Sequence, residues 1–183
     1  MARVLVPLAP GFEELEAVTV VDLLRRAEIE VVTAGLEPGP VTASRGTVVV
    51  PDCGLDEALR QEYDMVVLPG GLPGADHLDR DARVKALLTQ MAASGRFTAA
   101  ICAAPKVLAS AGLLDGKAAT AFPGVLEAMS LPEVRLEQRS VVRDGRVITS
   151  RGPGTAMDFA LELIETLAGP QARERVEASL QRS

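Results

Sequence analysis

Apolar residues in the first half of the chain follow two alternating periods. Arg3–Leu8 is a short run rich in Val and Leu, ended by Pro10-Gly11, and predicts a strand. From Glu13 onward, Leu15, Val18, Val21 and Leu24 recur at helical spacing beside Ala17 and Val20. Arg25-Arg26 then place cations where a helix C-terminus favours them. Glu30–Ala34, closed by Gly35, predicts a second strand, which a right-handed crossover sets parallel to the first. Thr47–Val50 is another β-branched run, stopped by Pro51-Asp52. Asp64–Leu68 is a continuous apolar strand of the kind covered on both faces.

Beyond it lies Pro69-Gly70-Gly71-Leu72-Pro73-Gly74, read as a loop that extends through His77. Val84, Leu87, Leu88 and Met91 restore helical spacing until Ser94-Gly95, and Phe97–Ile101 is the next strand. Ala103–Ala111 predicts a helix behind Pro105, and Lys117–Ala121 a weaker strand. Ser140–Arg143 and Arg146–Ser150 flank Asp144-Gly145, which predicts a hairpin with a type I′ turn. Pro153 opens a helix striped by Phe159, Leu163, Ile164 and Leu167, and Gly169-Pro170 stops it. Strand–helix alternation of this kind predicts an open α/β sandwich with helices on both faces.

A chain of 183 residues fits one domain and buries enough surface to fold without disulfides or metal. Aromatics are only 3% of the residues, so the core is aliphatic, as suits helices packed on a parallel sheet. The net charge of −6 argues against a basic surface that tracks phosphates, and hence against a nucleic-acid partner. The apolar runs are too short to span a bilayer, and Met1–Val6 enters a strand without a signal-like segment. These features predict a cytoplasmic protein whose two cysteines, Cys53 and Cys102, are free thiols. The single histidine, His77, excludes a His-rich metal site.

The chemistry-bearing segment is Ala100-Ile101-Cys102-Ala103-Ala104-Pro105. A strand ends, a cysteine follows and a helix opens, with small neighbours that permit the sharp turn a projecting nucleophile needs. A helix N-terminus favours the thiolate and predicts a lowered pKa for Cys102. The glycines after the buried strand leave backbone amides open, so Gly70 and Gly71 with Ala103 could hold an oxyanion. Glu16 lies near the apolar face of the first helix, where a carboxyl must be protonated or paired. A neutral Glu16 could donate a hydrogen bond to a Cys102 thiolate; a charged one would raise the thiol pKa. Cys53, after Pro51-Asp52, is placed in a loop as a bystander thiol.

Four segments stand together: Gly11-Phe12-Glu13-Glu14-Leu15-Glu16, Val67-Leu68-Pro69-Gly70-Gly71, Ala100–Pro105 and Thr149-Ser150-Arg151-Gly152-Pro153-Gly154-Thr155. In this order they resemble the ThiJ/PfpI superfamily, in the branch of the Parkinson-disease protein deglycase and bacterial YajL. The resemblance runs from Arg3 to about Val176 and implies one such domain over residues 1–183. It implies a flavodoxin-like three-layer sandwich with a mostly parallel sheet, and a homodimer. It also implies Cys102 as an oxidisable nucleophile partnered by Glu16, with the amides of Gly71 and Ala103 as oxyanion site. Arg26 and Arg45 match arginines near the family's pocket and dimer seam.

Where protease-like members carry a histidine after the nucleophile, this chain has Ala103; a later loop histidine is replaced by Phe122 before Pro123. His77 matches no catalytic position and is expected on the surface. Without a histidine base a Cys-His peptidase lacks its proton shuttle. The expected function is then glutathione-independent conversion of small 2-oxoaldehydes such as methylglyoxal or glyoxal, or of their early glycation adducts, to hydroxy acids. It requires no metal or organic cofactor. The alternative is an oxidative-stress sensor or chaperone that works through oxidation of Cys102.

Overall fold

The computed structural model describes residues 1–182. In chain order, β1 (Arg3–Leu8), α1 (Glu14–Arg26) and β2 (Glu30–Gly35) form the first unit. Short elements follow: β3 (Val41–Thr42), β4 (Val48–Val49), β5 (Cys53–Gly54) and α2 (Leu55–Ala58). The centre of the chain is β6 (Met65–Leu68), α3 (Gly74–Arg80), α4 (Ala82–Ala93), β7 (Phe97–Ile101) and α5 (Pro105–Ser110). Then come β8 (Ala118–Ala119), β9 (Arg135–Leu136), β10 (Val141–Asp144), β11 (Val147–Ser150), α6 (Ala156–Ala168) and α7 (Pro170–Ser179).

Seven strands form one sheet in the order β10-β11-β7-β6-β1-β2-β5. Every pairing is parallel except β10 with β11. Alternation along each central strand splits the core in two. Val4, Val6, Leu8, Met65, Val67, Ala99 and Ile101 face one layer with α1, α6 and α7. Leu5, Val66, Leu68 and Ala100 face the other, with the apolar residues of α2 to α5. Each fully buried Leu, Val or Phe contributes about 1.5–3 kcal/mol by leaving water. The result is the flavodoxin-like three-layer sandwich that the strand–helix alternation and the resemblance anticipate. It carries β1, β6 and β7 side by side at its centre, with their carboxyl ends at one edge.

Several local expectations change. α1 turns Glu16, Ala17, Val20, Leu23 and Leu24 inward and packs on α6, whereas Leu15 and Val18 each remain 51% exposed. Of the stripe beginning at Leu15 only Leu24 is fully buried, because the 16–20–23–24 set is the one turned inward. Val48–Val49 pairs with Val41–Thr42 in a separate two-stranded ribbon, and Ala118–Ala119 pairs with Arg135–Leu136 in another. The C-terminal hairpin forms one residue later than the Asp-Gly signal implies. Asp144 pairs with Val147, so the turn is Gly145-Arg146. Only Gly145 of the two has a positive φ, which excludes type I′ and matches the glycine-first type II′ arrangement. Gly169-Pro170 ends α6 but also starts α7, with Pro170 at the first helical position. The segment after Pro73 is the helix α3 rather than a loop.

Candidate active site

Cys102 sits on the turn that follows β7, at the centre of the sheet's carboxyl edge. Its φ is +64°, a left-handed conformation rarely held by a side chain other than glycine's. Three backbone bonds fix it there. The Cys102 amide donates to the Ser150 carbonyl (3.0 Å), Phe122 donates to the Cys102 carbonyl (2.8 Å), and Ala104 donates to Ile101 (3.0 Å). Ser150 is itself tied to the next turn. Its hydroxyl meets that of Thr155 at 2.7 Å, and the Gly152 amide donates to Thr155 Oγ1 at 3.1 Å. The Ser150–Thr155 run thereby anchors one side of the cysteine turn.

The second wall comes from the end of β6. The Gly70 carbonyl accepts from the Glu13 amide at 2.8 Å, which docks the start of α1 on this loop. The Gly70 amide donates to Glu16 Oε2, also at 2.8 Å. A Cβ at Gly70 would stand 2.6 Å from the Cys102 Cβ and 2.8 Å from Glu16 Oε2, so only glycine fits between them. Gly71, at φ +88°, would place a Cβ 2.4 Å from the Glu13 amide nitrogen.

Glu16 is wholly buried, and its Oε1 has no hydrogen-bond partner of standard geometry. Burial pushes its pKa up to about 7, opposed by the Gly70 amide and by the Cys102 thiol beside it. The charge of Glu13 raises it further. Cys102 behaves differently from the expectation. Burial first, and then the Glu16 carboxylate, push its thiol up to about 12, although the amides of Gly71 and Ala103 act in the lowering direction. The helix behind it, α5, has only six residues and starts at Pro105, so its field is weak against that carboxylate. One buried space thus resists two negative charges. Protonating Glu16 removes the charge that opposes the thiolate and leaves two amides to favour it.

The structure brings Cys102, Glu16, Gly70, Gly71 and Ala103 together. The Gly71 and Ala103 amides act to lower the pKa of the Cys102 thiol, whereas the Gly70 amide is taken by Glu16. Arg26 and Arg45 lie apart from this group within the chain. Arg26 pairs with Asp22 at 2.7 Å on the exposed side of α1, about 15 Å along the helix from Glu16. Arg45 is exposed in the β3–β4 connection, its amide donating to Glu14 Oε1 at 3.0 Å. His77 is a partly buried residue of α3 rather than a surface loop residue. Cys53 lies on the edge strand β5, not in a loop, beside Ala34 of β2. Sequence reasoning missed the clamping parts of Ser150 and Phe122 and the docking part of Glu13. Ser150 lies within the Thr149–Thr155 segment, but strand pairing across the sheet cannot be read from that segment. Among the described residues no three His, Cys, Asp or Glu side chains converge as a metal site.

Known proteins share this arrangement of elements. The chain is 43% identical over 177 residues to protein dj-1beta of Drosophila melanogaster, covering 96% of this chain and 95% of that one. The crystal structure of that Drosophila protein superposes with a TM-score of 0.95 at 41% identity, over 100% of this chain and 98% of that one. The structure of oxidized Toxoplasma gondii DJ-1 superposes equally well, with a TM-score of 0.95 at 38% identity over 100% of both chains. A Caenorhabditis elegans protein named glutathione-independent glyoxalase DJR-1.2 is 36% identical over 159 residues, 87% of this chain and 84% of its own. Residues 2–166 match the DJ-1/PfpI family description, and the chain belongs to the DJ-1/PfpI family.

Proposed function

We propose that the protein is a cofactor-independent enzyme that converts small 2-oxoaldehydes, such as methylglyoxal or glyoxal, or their early glycation adducts, to hydroxy acids. The observation that carries this reading is the buried Glu16 carboxyl, held by the Gly70 amide beside a cysteine whose sulfur faces two further amides. The name of the nematode relative supports the same chemistry.

In this reading Glu16 takes the thiol proton, and the Cys102 thiolate attacks the aldehyde carbon. A C–S bond forms, and the carbonyl π electrons move to oxygen, where the Gly71 and Ala103 amides stabilise them. Protonation of that oxygen gives a hemithioacetal. Glu16 then moves the proton of the former aldehyde carbon to the adjacent carbonyl carbon through an enediol. This oxidises the first carbon and reduces the second, giving a thioester of the 2-hydroxy acid with no external oxidant. Water cleaves the thioester and restores the thiol. Multiple-turnover conversion of methylglyoxal to lactate without glutathione tests the reading, with wild type and Cys102→Ser compared. Turnover retained in the variant removes Cys102 as nucleophile.

A second reading is favoured by the Toxoplasma relative, whose structure is that of an oxidized protein. A peroxide would transfer oxygen to the Cys102 thiolate, giving sulfenate and then, with a second equivalent, sulfinate held by the same amides and a protonated Glu16. That protein would change state once per cysteine, as a stress sensor or chaperone, rather than turn over. In either case the chain acts in the cytoplasm as a homodimer. Support for pairing comes from Val18 (51% exposed) and Val50 (75% exposed), which line one cavity. Val21 and Val49 add to its apolar side, with Asp22, Arg25 and Thr33 also in the lining of this cavity of about 310 Å³. No helix among the described residues is long and apolar enough to cross a membrane.

A further inference from the structure

Two of the exposed large apolar residues, Leu72 and Phe122, adjoin the cysteine site through the backbone. Leu72, 60% exposed, directly follows Gly71, whose amide reaches the Cys102 sulfur. Phe122, 50% exposed, is bonded through its amide to the Cys102 carbonyl. A Cβ on Gly152 would stand 3.3 Å from the Phe122 ring, so the ring rests on the glycine of the Ser150–Thr155 turn. Leaving a leucine and a phenylalanine in water beside a reactive group is unfavourable unless something apolar covers them in use.

The charges near the site point the same way. The groups that act on the Cys102 sulfur are Glu16 and the two amides; no arginine or lysine of the described residues is among them. Lys106, one residue beyond Pro105, is held by Asp76 of α3. Arg151 donates to the Gln138 carbonyl at 3.2 Å. The charge that acts on the sulfur itself is that of the Glu16 carboxyl, which disfavours an anionic substrate.

We infer that Leu72 and Phe122 form an apolar rim that selects 2-oxoaldehydes carrying an uncharged hydrocarbon substituent larger than a methyl group. The inference rests on the enzymatic reading for its substrate class and on Leu72 and Phe122 for its selectivity. The aldehyde carbon goes to Cys102, and the substituent beyond the adjacent carbonyl lies against the rim.

The test compares kcat/KM for glyoxal, methylglyoxal and 4-methyl-2-oxopentanal in wild type, Leu72→Ser and Phe122→Ser. Both sites are half exposed, so the variants are expected to fold, and circular dichroism checks this. Wild type should prefer the branched aldehyde to glyoxal by on the order of tenfold, the scale of a few methylenes in a pocket. Each variant should cut that ratio severalfold, and the double variant should bring it close to one. A wild-type ratio at or below one, or a ratio both variants leave intact, overturns the inference while glyoxal turnover upholds the enzyme. Absence of turnover with every aldehyde overturns the enzymatic reading instead. The rim is then read by mass spectrometry of Cys102 alkylation with iodoacetamide against N-phenyl iodoacetamide, normalised to Cys53 of the same molecules. A phenyl preference at Cys102 that Phe122→Ser abolishes supports the rim, and equal preference at both cysteines refutes it.

Discussion

Cys53 and Cys102 share more than their different placements suggest. Both are partly buried, and burial is the largest influence raising each thiol. Both also have carboxylates nearby that raise it further: Asp52 and Glu57 at Cys53, Glu16 at Cys102. What separates them is whether the opposing charge can be removed. Asp52 accepts from the Thr33 amide and hydroxyl and from Arg25, and these contacts hold it below the ordinary aspartate range. It stays charged at neutral pH. Glu16 has one amide and a desolvated oxygen, and it takes up a proton near neutrality. In the proposed chemistry Cys102 would therefore be made reactive by a neighbour that can become neutral, not by proximity to a helix end.

The strongest way to break this comparison is to exchange the roles of the two thiols. Cys102→Ser should lower kcat for methylglyoxal by at least about a thousandfold. Glu16→Gln comes next. It keeps a carbonyl for the Gly70 amide but cannot move a proton, so kcat should fall about a hundredfold. The same variant should lower the thiol pKa of Cys102 below that of wild type in pH-dependent alkylation and leave Cys53 unmoved. If Cys53 is the thiol that moves, the coupling is misassigned.

Stability sharpens the contrast further. Between its ordinary value of 4.5 and about 7, folded Glu16 keeps a proton that the unfolded chain has released. Its contribution to stability is thus complete at low pH and lost as pH rises through that window, by on the order of 3 kcal/mol. Urea unfolding at pH 5 and pH 8 should show wild type losing that amount relative to Glu16→Gln. Gly70→Ala should cost about 1–3 kcal/mol by overpacking, with activity falling as the new methyl parts Cys102 from Glu16. Last, Cys53→Ser should leave turnover within about twofold of wild type, a ratio close to the precision of rate assays.

The central strands were legible because β1, β6 and β7 are buried on both faces, β6 reading as an unbroken apolar run and β1 and β7 as runs broken only by Arg3 and Thr98. The cysteine turn and the glycine loop were legible for a related reason, since small residues between strand and helix leave few geometries. α1 was harder: Leu15 and Val18 are as apolar as the residues that face α6, and periodicity cannot say which stripe the sheet meets. α3 and α7 were hidden behind prolines, which end one element and begin another with equal ease. The placing of Glu16 beside Cys102 was anticipated, as was the rise a charged Glu16 would cause, but the sign of the thiol's net shift was not. That sign depends on burial and on Gly70, which meet Glu16 only once β6 and α1 are docked.

The left-handed backbone of Cys102 has an evolutionary consequence. A side chain in that conformation costs roughly 1–2 kcal/mol, which glycine would not incur. The clamps from Ser150 and Phe122 use only main-chain atoms, so glycine at this position would keep all of them. Selection for thermal endurance alone would therefore erase the thiol and leave a sturdier, inert protein. Cysteine at this position is thus a net cost to the fold unless its sulfur is used.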